Sequence, residues 1–278
     1  MLPTQGGKAL VIDSKAAAEL MEPLTDLVIR AGAAILAVNP AAMGIVGKRD
    51  GSPVTDADLA ADRIIAEGLA RLVPEISVVS EERVQLAKIA YRGSFFLVDP
   101  LDGTKEFVAG RNEFTVNLAL VTHGAPLMGI IGAPALGLVW RGLVGRGAQR
   151  LSIAAKSLPQ PIHTRSLPKS GQPWVAAVSR SHADSRTEGF IAARAGAIRN
   201  ALGSAVKFGR VAEGQADIYP RLAPTSEWDV AAGHALVTAA GGRITDVQGA
   251  PVRFGQGQTG FIVPEFIAWG DPSAAPGA

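Results

Sequence analysis

Residues 114–140 contain no Asp, Glu, Lys or Arg, and this stretch restricts the fold more than any other feature of the chain. A run of that length without charge must be hidden from water, either in lipid or in a core. It is long enough to cross a bilayer as a helix. However, Asn117, the His123-Gly124 pair, Pro126, Gly129, Gly132, Pro134 and Gly137 interrupt it. What remains are apolar runs of strand length at Thr115–Val121, Leu127–Ala133 and Gly137–Arg141, separated by turn residues. That pattern predicts a buried antiparallel sheet rather than a membrane helix.

The flanking sequence supplies further elements. Ala16–Val38 reads as a long amphipathic helix ending before Asn39-Pro40. Gly44–Val54 reads as a hairpin region with Asp50-Gly51 at its turn, and Thr55 as the cap of a helix over Asp56–Leu72. Ile76–Val79 and Phe95–Val98 are strand-length apolar runs, each ending at acids. Ser157–Pro173 holds four prolines and divides the chain into an N-terminal α+β lobe, 1–156, and a C-terminal α/β lobe, 157–278.

In the second lobe strands at Trp174–Val178, Ala197–Asn200, Asp217–Tyr219 and Arg243–Thr245 alternate with helices at Asp184–Ala195, Ser204–Glu213 and Glu227–Ala240. Gly145-Arg146-Gly147 reads as a turn and Asp271–Ala278 as a loose tail.

Composition removes several classes of function. With 47% hydrophobic and 19% charged residues the chain has material for a core and is not disordered. It has no cysteine, which excludes disulfides, thiolate zinc, iron–sulfur clusters and a cysteine nucleophile. The histidines at 123, 163, 182 and 234 lack zinc-site spacing. A net charge of +2, from 27 Lys and Arg against 25 Asp and Glu, does not indicate a nucleic-acid partner. Met1–Lys8 lacks the apolar core of a signal peptide, so the expected location is cytoplasmic, or at most peripheral at the inner membrane.

The densest acidic cluster is Asp99-Pro100-Leu101-Asp102-Gly103-Thr104, just after the run Phe95–Val98. Two carboxylates near a strand end suit a hard divalent cation, and a glycine lets backbone approach a ligand closely. Taken alone, an Asp-x-x-Asp pair can equally shape a turn and cap a helix. Glu81, Glu82 and Asp229 are further acids that could join it.

The longer string from Asp99 to Phe107 resembles the inositol monophosphatase superfamily of magnesium-dependent, lithium-sensitive phosphatases. The resemblance runs from about Leu20 to Gly249. It includes Ser52-Pro53-Val54-Thr55 with Asp58, Ser80-Glu81-Glu82, Glu113–Leu120, Ala212–Gln215, Tyr219-Pro220-Arg221 and Trp228-Asp229 with Ala231-Ala232-Gly233. Three strings resemble the 3'(2'),5'-bisphosphate nucleotidase branch: Lys105-Glu106-Phe107, Ser179-Arg180-Ser181-His182 and Gly203-Ser204-x-x-Lys207-Phe208.

The resemblance implies a five-layered α-β-α-β-α sandwich and hydrolysis of the 3'-phosphate of adenosine 3',5'-bisphosphate, a by-product of sulfate assimilation. The alternative is an inositol-1-phosphate or broad sugar phosphatase. It also implies two to three magnesium ions. Glu81, Asp99 and the Leu101 carbonyl would hold the first, and Asp99, Asp102 and Asp229 the second. A third, weaker ion would sit near Glu81 on water. Glu81 and Thr104 would position the attacking water, with Asp58 hydrogen-bonded to the Thr104 hydroxyl. The N–H groups of Gly103 and Thr104 would receive the phosphate, and His182, Ser204, Lys207 and Arg221 would face the nucleotide. The implied partner is a phosphorylated small molecule, with no nucleic acid and no integral membrane segment. Oligomeric state is left open. A phosphate-sensing protein that keeps the fold without the chemistry is the rival from another class.

Overall fold

The computed structural model describes residues 10–39, 44–47, 53–86, 93–154, 158–181, 184–255 and 260–277. The chain opens with α1 (Ser14–Ala37), capped by the Asp13 carboxylate, which accepts from the N–H groups of Lys15 and Ala16. A short antiparallel pair, β1 (Ile45–Gly47) and β2 (Pro53–Thr55), leads into α2 (Asp56–Leu72). The expected turn at Asp50-Gly51 lies outside the described residues. There follow β3 (Ser77–Ser80), a 3₁₀ helix (Glu81–Leu86), β4 (Ser94–Asp102), α3 (Thr104–Val108), β5 (Thr115–Thr122), β6 (Ala125–Ala133), β7 (Leu138–Leu143), β8 (Gly147–Ser152) and β9 (Gln160–Ile162).

Strands β3 to β9 form one seven-stranded sheet in sequence order, parallel only between β3 and β4. Side-chain alternation explains the charge-free stretch. On β4, Phe95 and Leu97 face one side and Phe96 and Val98 the other. On β5, Ala119 and Val121 share the first side, while Val116, Leu118 and Leu120 share the second. Both faces are buried, so no position along the strands tolerates charge at little cost. α1 and α2 cover the second side.

The C-terminal part supplies β10 (Val175–Ser179), α4 (Ser185–Ala192), β11 (Ile198–Leu202), α5 (Val206–Ala212), β12 (Ile218–Arg221) and β13 (Thr225–Ser226). It ends with α6 (Glu227–Ala239), β14 (Arg243–Thr245), β15 (Ile262–Val263) and β16 (Phe266–Trp269). A five-stranded sheet runs β11-β10-β12-β16-β14, and β13 pairs with β15 separately.

α5 and α6 lie between the two sheets, and α4 packs against β12 on the far side. The order of layers is therefore the expected α-β-α-β-α sandwich. The two backbones meet most closely at Gly129 of β6, where a Cβ would stand 2.1 Å from the carbonyl oxygen of Ala232 in α6. Only glycine permits that contact between sheet and helix.

Two expectations need correction, and one strand went unassigned. The large sheet does not stop at residue 156: β9 lies inside the proline-rich segment and pairs with β8, so the changeover between sheets falls between β9 and β10. The closing residues are not loose, because Asp271 caps a 3₁₀ turn (Pro272–Ala274) and Ala275 is buried. β16, left unassigned by the sequence, is a fully buried strand joining β12 to β14.

Candidate active site

β4 carries both acids of the central string. It continues through Pro100 to Asp102 rather than ending at Val98. In a regular strand residues three apart point to opposite faces. Here the register changes: Asp99 pairs with Asn117 while Asp102 pairs with Thr115, so three steps on β4 match two on β5. The extra residue is a bulge, a position where proline is tolerated in a sheet. It returns both carboxylates to one face, the side towards α5 and α6.

Parallel pairing brings in Glu81. Ser80 stands opposite Val98, so Glu81, the first residue beyond β3, emerges beside Asp99 of β4. Asp229 arrives from the N-terminus of α6. Oxygens of Glu81, Asp99 and Asp229 lie within 4.8 Å of one another.

Two acids are fixed by the same local device. Asp58 and Asp229 each occupy the third position of a helix and close a capping box, with Thr55 and Ser226 respectively. Asp58 Oδ2 accepts the Thr55 N–H at 2.7 Å and its hydroxyl at 2.6 Å, while Oδ1 accepts the Thr104 hydroxyl at 3.0 Å. One carboxylate thus makes both the helix cap and the contact to Thr104. Asp229 Oδ2 accepts from the Ser226 N–H at 3.1 Å and from the Thr225 hydroxyl.

Asp102 lies on the same cavity wall but outside the close triad. Its Oδ2 accepts from Asn117 Nδ2 at 3.3 Å and the Thr115 hydroxyl at 3.4 Å. The sequence expectation grouped it directly with Asp99 and Asp229.

Gly103 follows with φ of +91°, a backbone that side chains rarely adopt. A Cβ there would also stand 2.1 Å from Ser204 Oγ. The Thr104 hydroxyl reaches the Leu101 carbonyl at 3.2 Å as well as Asp58.

Glu81, Asp99, Asp102, Gly103, Thr104 and Asp229 line one cavity of about 380 Å³, with Asp58 behind Thr104 and outside its lining. Lys207 and Arg221 share it with the acids, as do Ser204 and Lys105. Lys207 is buried, its ammonium donating to the carbonyls of Ser204 at 2.5 Å and Leu202 at 3.3 Å. Burial lowers it to about 8, with Asp102 pulling the other way. Arg221 Nε is buried and has no protein hydrogen-bond partner among the described residues.

Ser204, expected to face the nucleotide, lines the cavity, while its hydroxyl lies 2.8 Å from the Asp102 carbonyl and 2.9 Å from that of Glu113, bracing the acidic loop from behind. His182 lies outside the described residues. Glu82 is half-buried beside Glu81. His123, His163 and His234 are absent from the cavity lining.

Electrostatics supply the test of whether a cation fits. Asp99 is 1% exposed, and burial, then Glu81, Asp102, Asp229 and Asp58, push its carboxyl well above the usual carboxylate range. Burial and Asp229 raise Asp102 to about 6. Carboxylates gathered on hard oxygen donors repel one another unless a cation offsets them, so the donor set fits magnesium.

Sequence reasoning missed a group that holds Glu81. Asp62, one turn beyond Asp58 on α2, accepts from the Ser80 hydroxyl at 2.7 Å and from Arg83 Nε at 2.9 Å. It thus grips the residues on either side of Glu81-Glu82. Its spacing from Asp58 was visible, but not the partners. Asp62→Asn is expected to weaken magnesium binding about tenfold, the lower end for groups supporting metal ligands. Calorimetric titration of the protein with magnesium checks this, and an unchanged isotherm would detach Asp62 from the placement of Glu81.

The model of the inositol monophosphatase family matches residues 16–270. A 3'(2'),5'-bisphosphate nucleotidase CysQ from Escherichia coli O157:H7 is 38% identical over 250 residues, covering 89% of this chain and 98% of the relative. The crystal structure of CysQ from Bacteroides thetaiotaomicron superposes with a TM-score of 0.72 at 31% identity, covering 90% of this chain and 97% of that one. An inositol monophosphatase from Zymomonas mobilis superposes with a TM-score of 0.74 at 27% identity, covering 92% and 94%.

Proposed function

The chain belongs to the inositol monophosphatase family, and from that premise we propose that it is a magnesium-dependent 3'(2'),5'-bisphosphate nucleotidase. Its reaction is hydrolysis of adenosine 3',5'-bisphosphate to AMP and phosphate. The observation that carries this reading is the presence, in one cavity, of an acid cluster together with Lys207 and Arg221. A bisphosphate brings two anionic groups, one to be cleaved and one to be held. The acids suit the first through a cation, and the buried Lys207 and half-buried Arg221 suit the second.

Glu81, Asp99 and the Leu101 carbonyl would hold one magnesium ion, Asp99, Asp102 and Asp229 a second, and Glu81 a third through water. Bound magnesium would supply charge neutralisation and Lewis acidity to a phosphate monoester, whose uncatalysed hydrolysis is among the slowest reactions known. The protein's own part is positioning. Asp58 accepts the Thr104 hydroxyl hydrogen, which turns the threonine lone pairs towards the cavity, and Glu81 orients the attacking water with it. The N–H groups of Gly103 and Thr104 receive the transferred phosphate. Ser204, Lys207 and Arg221, which line the cavity, face the nucleotide, and His182 is assigned there by the family resemblance alone. No covalent intermediate is required.

Among the described residues no helix is long and apolar enough to cross a membrane. We place the enzyme in the cytoplasm and divide it into two lobes, with the boundary after β9.

Phosphate release from adenosine 3',5'-bisphosphate and from inositol 1-phosphate, with and without magnesium, tests the assignment. Magnesium-dependent release with a clear preference for the nucleotide is expected. Release from inositol 1-phosphate alone would keep the metal site and overturn the reading of Lys207 and Arg221.

A further inference from the structure

Three sequence strings without a full role in this chemistry meet at one wall of the cavity. They are Lys105-Glu106-Phe107, Ser179-Arg180-Ser181 and Gly203-Ser204. Glu106, buried in α3 behind the acidic loop, accepts from the Ser181 hydroxyl on Oε1 and from Arg111 on Oε2 at 2.7 Å. Glu113 Oε2 accepts from the Arg180 guanidinium and from the Gly203 N–H at 2.8 Å. Arg180 also donates to the Ala201 carbonyl at 2.9 Å.

The segment after β10 belongs by chain order to the five-stranded sheet. Two carboxylates next to the seven-stranded sheet hold it in place. Ser179 and Ser181 line the same cavity as Asp99 and Asp229. With Arg111 and Ser181 on its two oxygens, Glu106 is engaged as a fastener rather than as a metal ligand.

We propose that Glu106 and Glu113 are positioning residues for substrate specificity. They fix residues 179–181 as a preformed wall for the part of the substrate beyond the transferred phosphate. A short segment leaving a strand end carries considerable conformational freedom. Charge-assisted hydrogen bonds remove that freedom before the substrate arrives, so its ordering is not charged against binding. The acids that perform the chemistry are fixed separately, by capping boxes and strand register. Loosening the wall therefore acts on KM and spares kcat.

The identity of the substrate in this inference rests on the proposed function, and the experiment separates the two. Arg180→Ala and Glu113→Gln are compared with wild type on adenosine 3',5'-bisphosphate and on glycerol 2-phosphate, which offers almost nothing to a wall. Glutamine at 113 keeps an acceptor for the Gly203 N–H, so the loop before α5 retains that bond. Each variant is expected to raise KM for the nucleotide about tenfold, with kcat and both constants for glycerol 2-phosphate within about twofold. Equal losses on both substrates, or an unchanged nucleotide KM, would overturn the proposal. If wild type spares the nucleotide and cleaves inositol 1-phosphate, the proposed function falls. The same ratio, taken with inositol 1-phosphate against glycerol 2-phosphate, then decides the wall.

Discussion

Asp99→Asn is expected to abolish magnesium-dependent phosphate release and at the same time to raise the melting temperature of the metal-free protein at pH 8. The loss of rate should be on the order of a thousandfold or more, about 4 kcal/mol of transition-state stabilisation. Asparagine is nearly isosteric and keeps an oxygen for the Leu101 N–H, which lies 3.0 Å from Asp99 Oδ1. The fold should therefore survive. What disappears is one negative charge in a buried group of carboxylates.

The pH dependence has a definite sign. Asp99 and Asp102 titrate above their unfolded values in the folded protein. Their neutral forms then leave stability intact below about pH 4, near the ordinary aspartate value. Stability is lost as pH rises through the folded values, about 6 for Asp102 and in the same direction for Asp99. Without metal, wild type should melt progressively lower from pH 4 upwards, and Asp99→Asn should fall less steeply.

Magnesium at a hundredfold excess over its Kd should restore about 2.7 kcal/mol to wild type. For a chain of this size that is roughly 5–10 °C. Melting curves in magnesium and in chelator, from pH 5 to 8, check both statements. Equal magnesium shifts in wild type and variant would remove Asp99 from the metal site.

Gly103→Ala should be the most damaging single methyl group in the site. A side chain in the left-handed region costs about 1–2 kcal/mol. The Cβ would also stand 2.1 Å from Ser204 Oγ, far inside contact distance. Ser204 cannot turn away freely, since its hydroxyl braces the carbonyls of Asp102 and Glu113 and its own φ is +48°. The two effects together should lower stability by about 2–4 kcal/mol and displace Thr104 from Asp58, with a loss of kcat of at least about a hundredfold.

The double variant Gly103→Ala with Ser204→Gly relieves the clash and leaves the backbone strain. The share of stability it recovers measures the steric part. Full activity in Gly103→Ala alone would mean that the loop does not set the geometry of the phosphate site.

Much of this protein was legible from local patterns. Thr55-x-x-Asp58 announced its cap, because capping needs only residues close in sequence, and the helix over Asp56–Leu72 lies where the cap places it. The charge-free stretch announced a buried sheet because burial on both faces forbids charge anywhere along a strand. Strands without a bounding signal were less visible. β9 lies among prolines, and β16 is four residues long.

Sequence by itself determined the kinds of element, the covered sheet and the set of acids available to a cation. Periodicity and capping are local, and carboxylates advertise themselves. Tertiary structure alone decided which acids converge. Asp99 and Asp102 share a face only because β5 pairs across a bulge. Glu81 reaches Asp99 because β3 runs parallel beside β4, and Asp229 arrives from a helix packed between two sheets. Packing also made the Ser204 hydroxyl a brace for the acidic loop and Asp62 the holder of Ser80 and Arg83, roles that no local pattern indicates. Register and packing are sums over distant pairs, and no short stretch of the chain contains them.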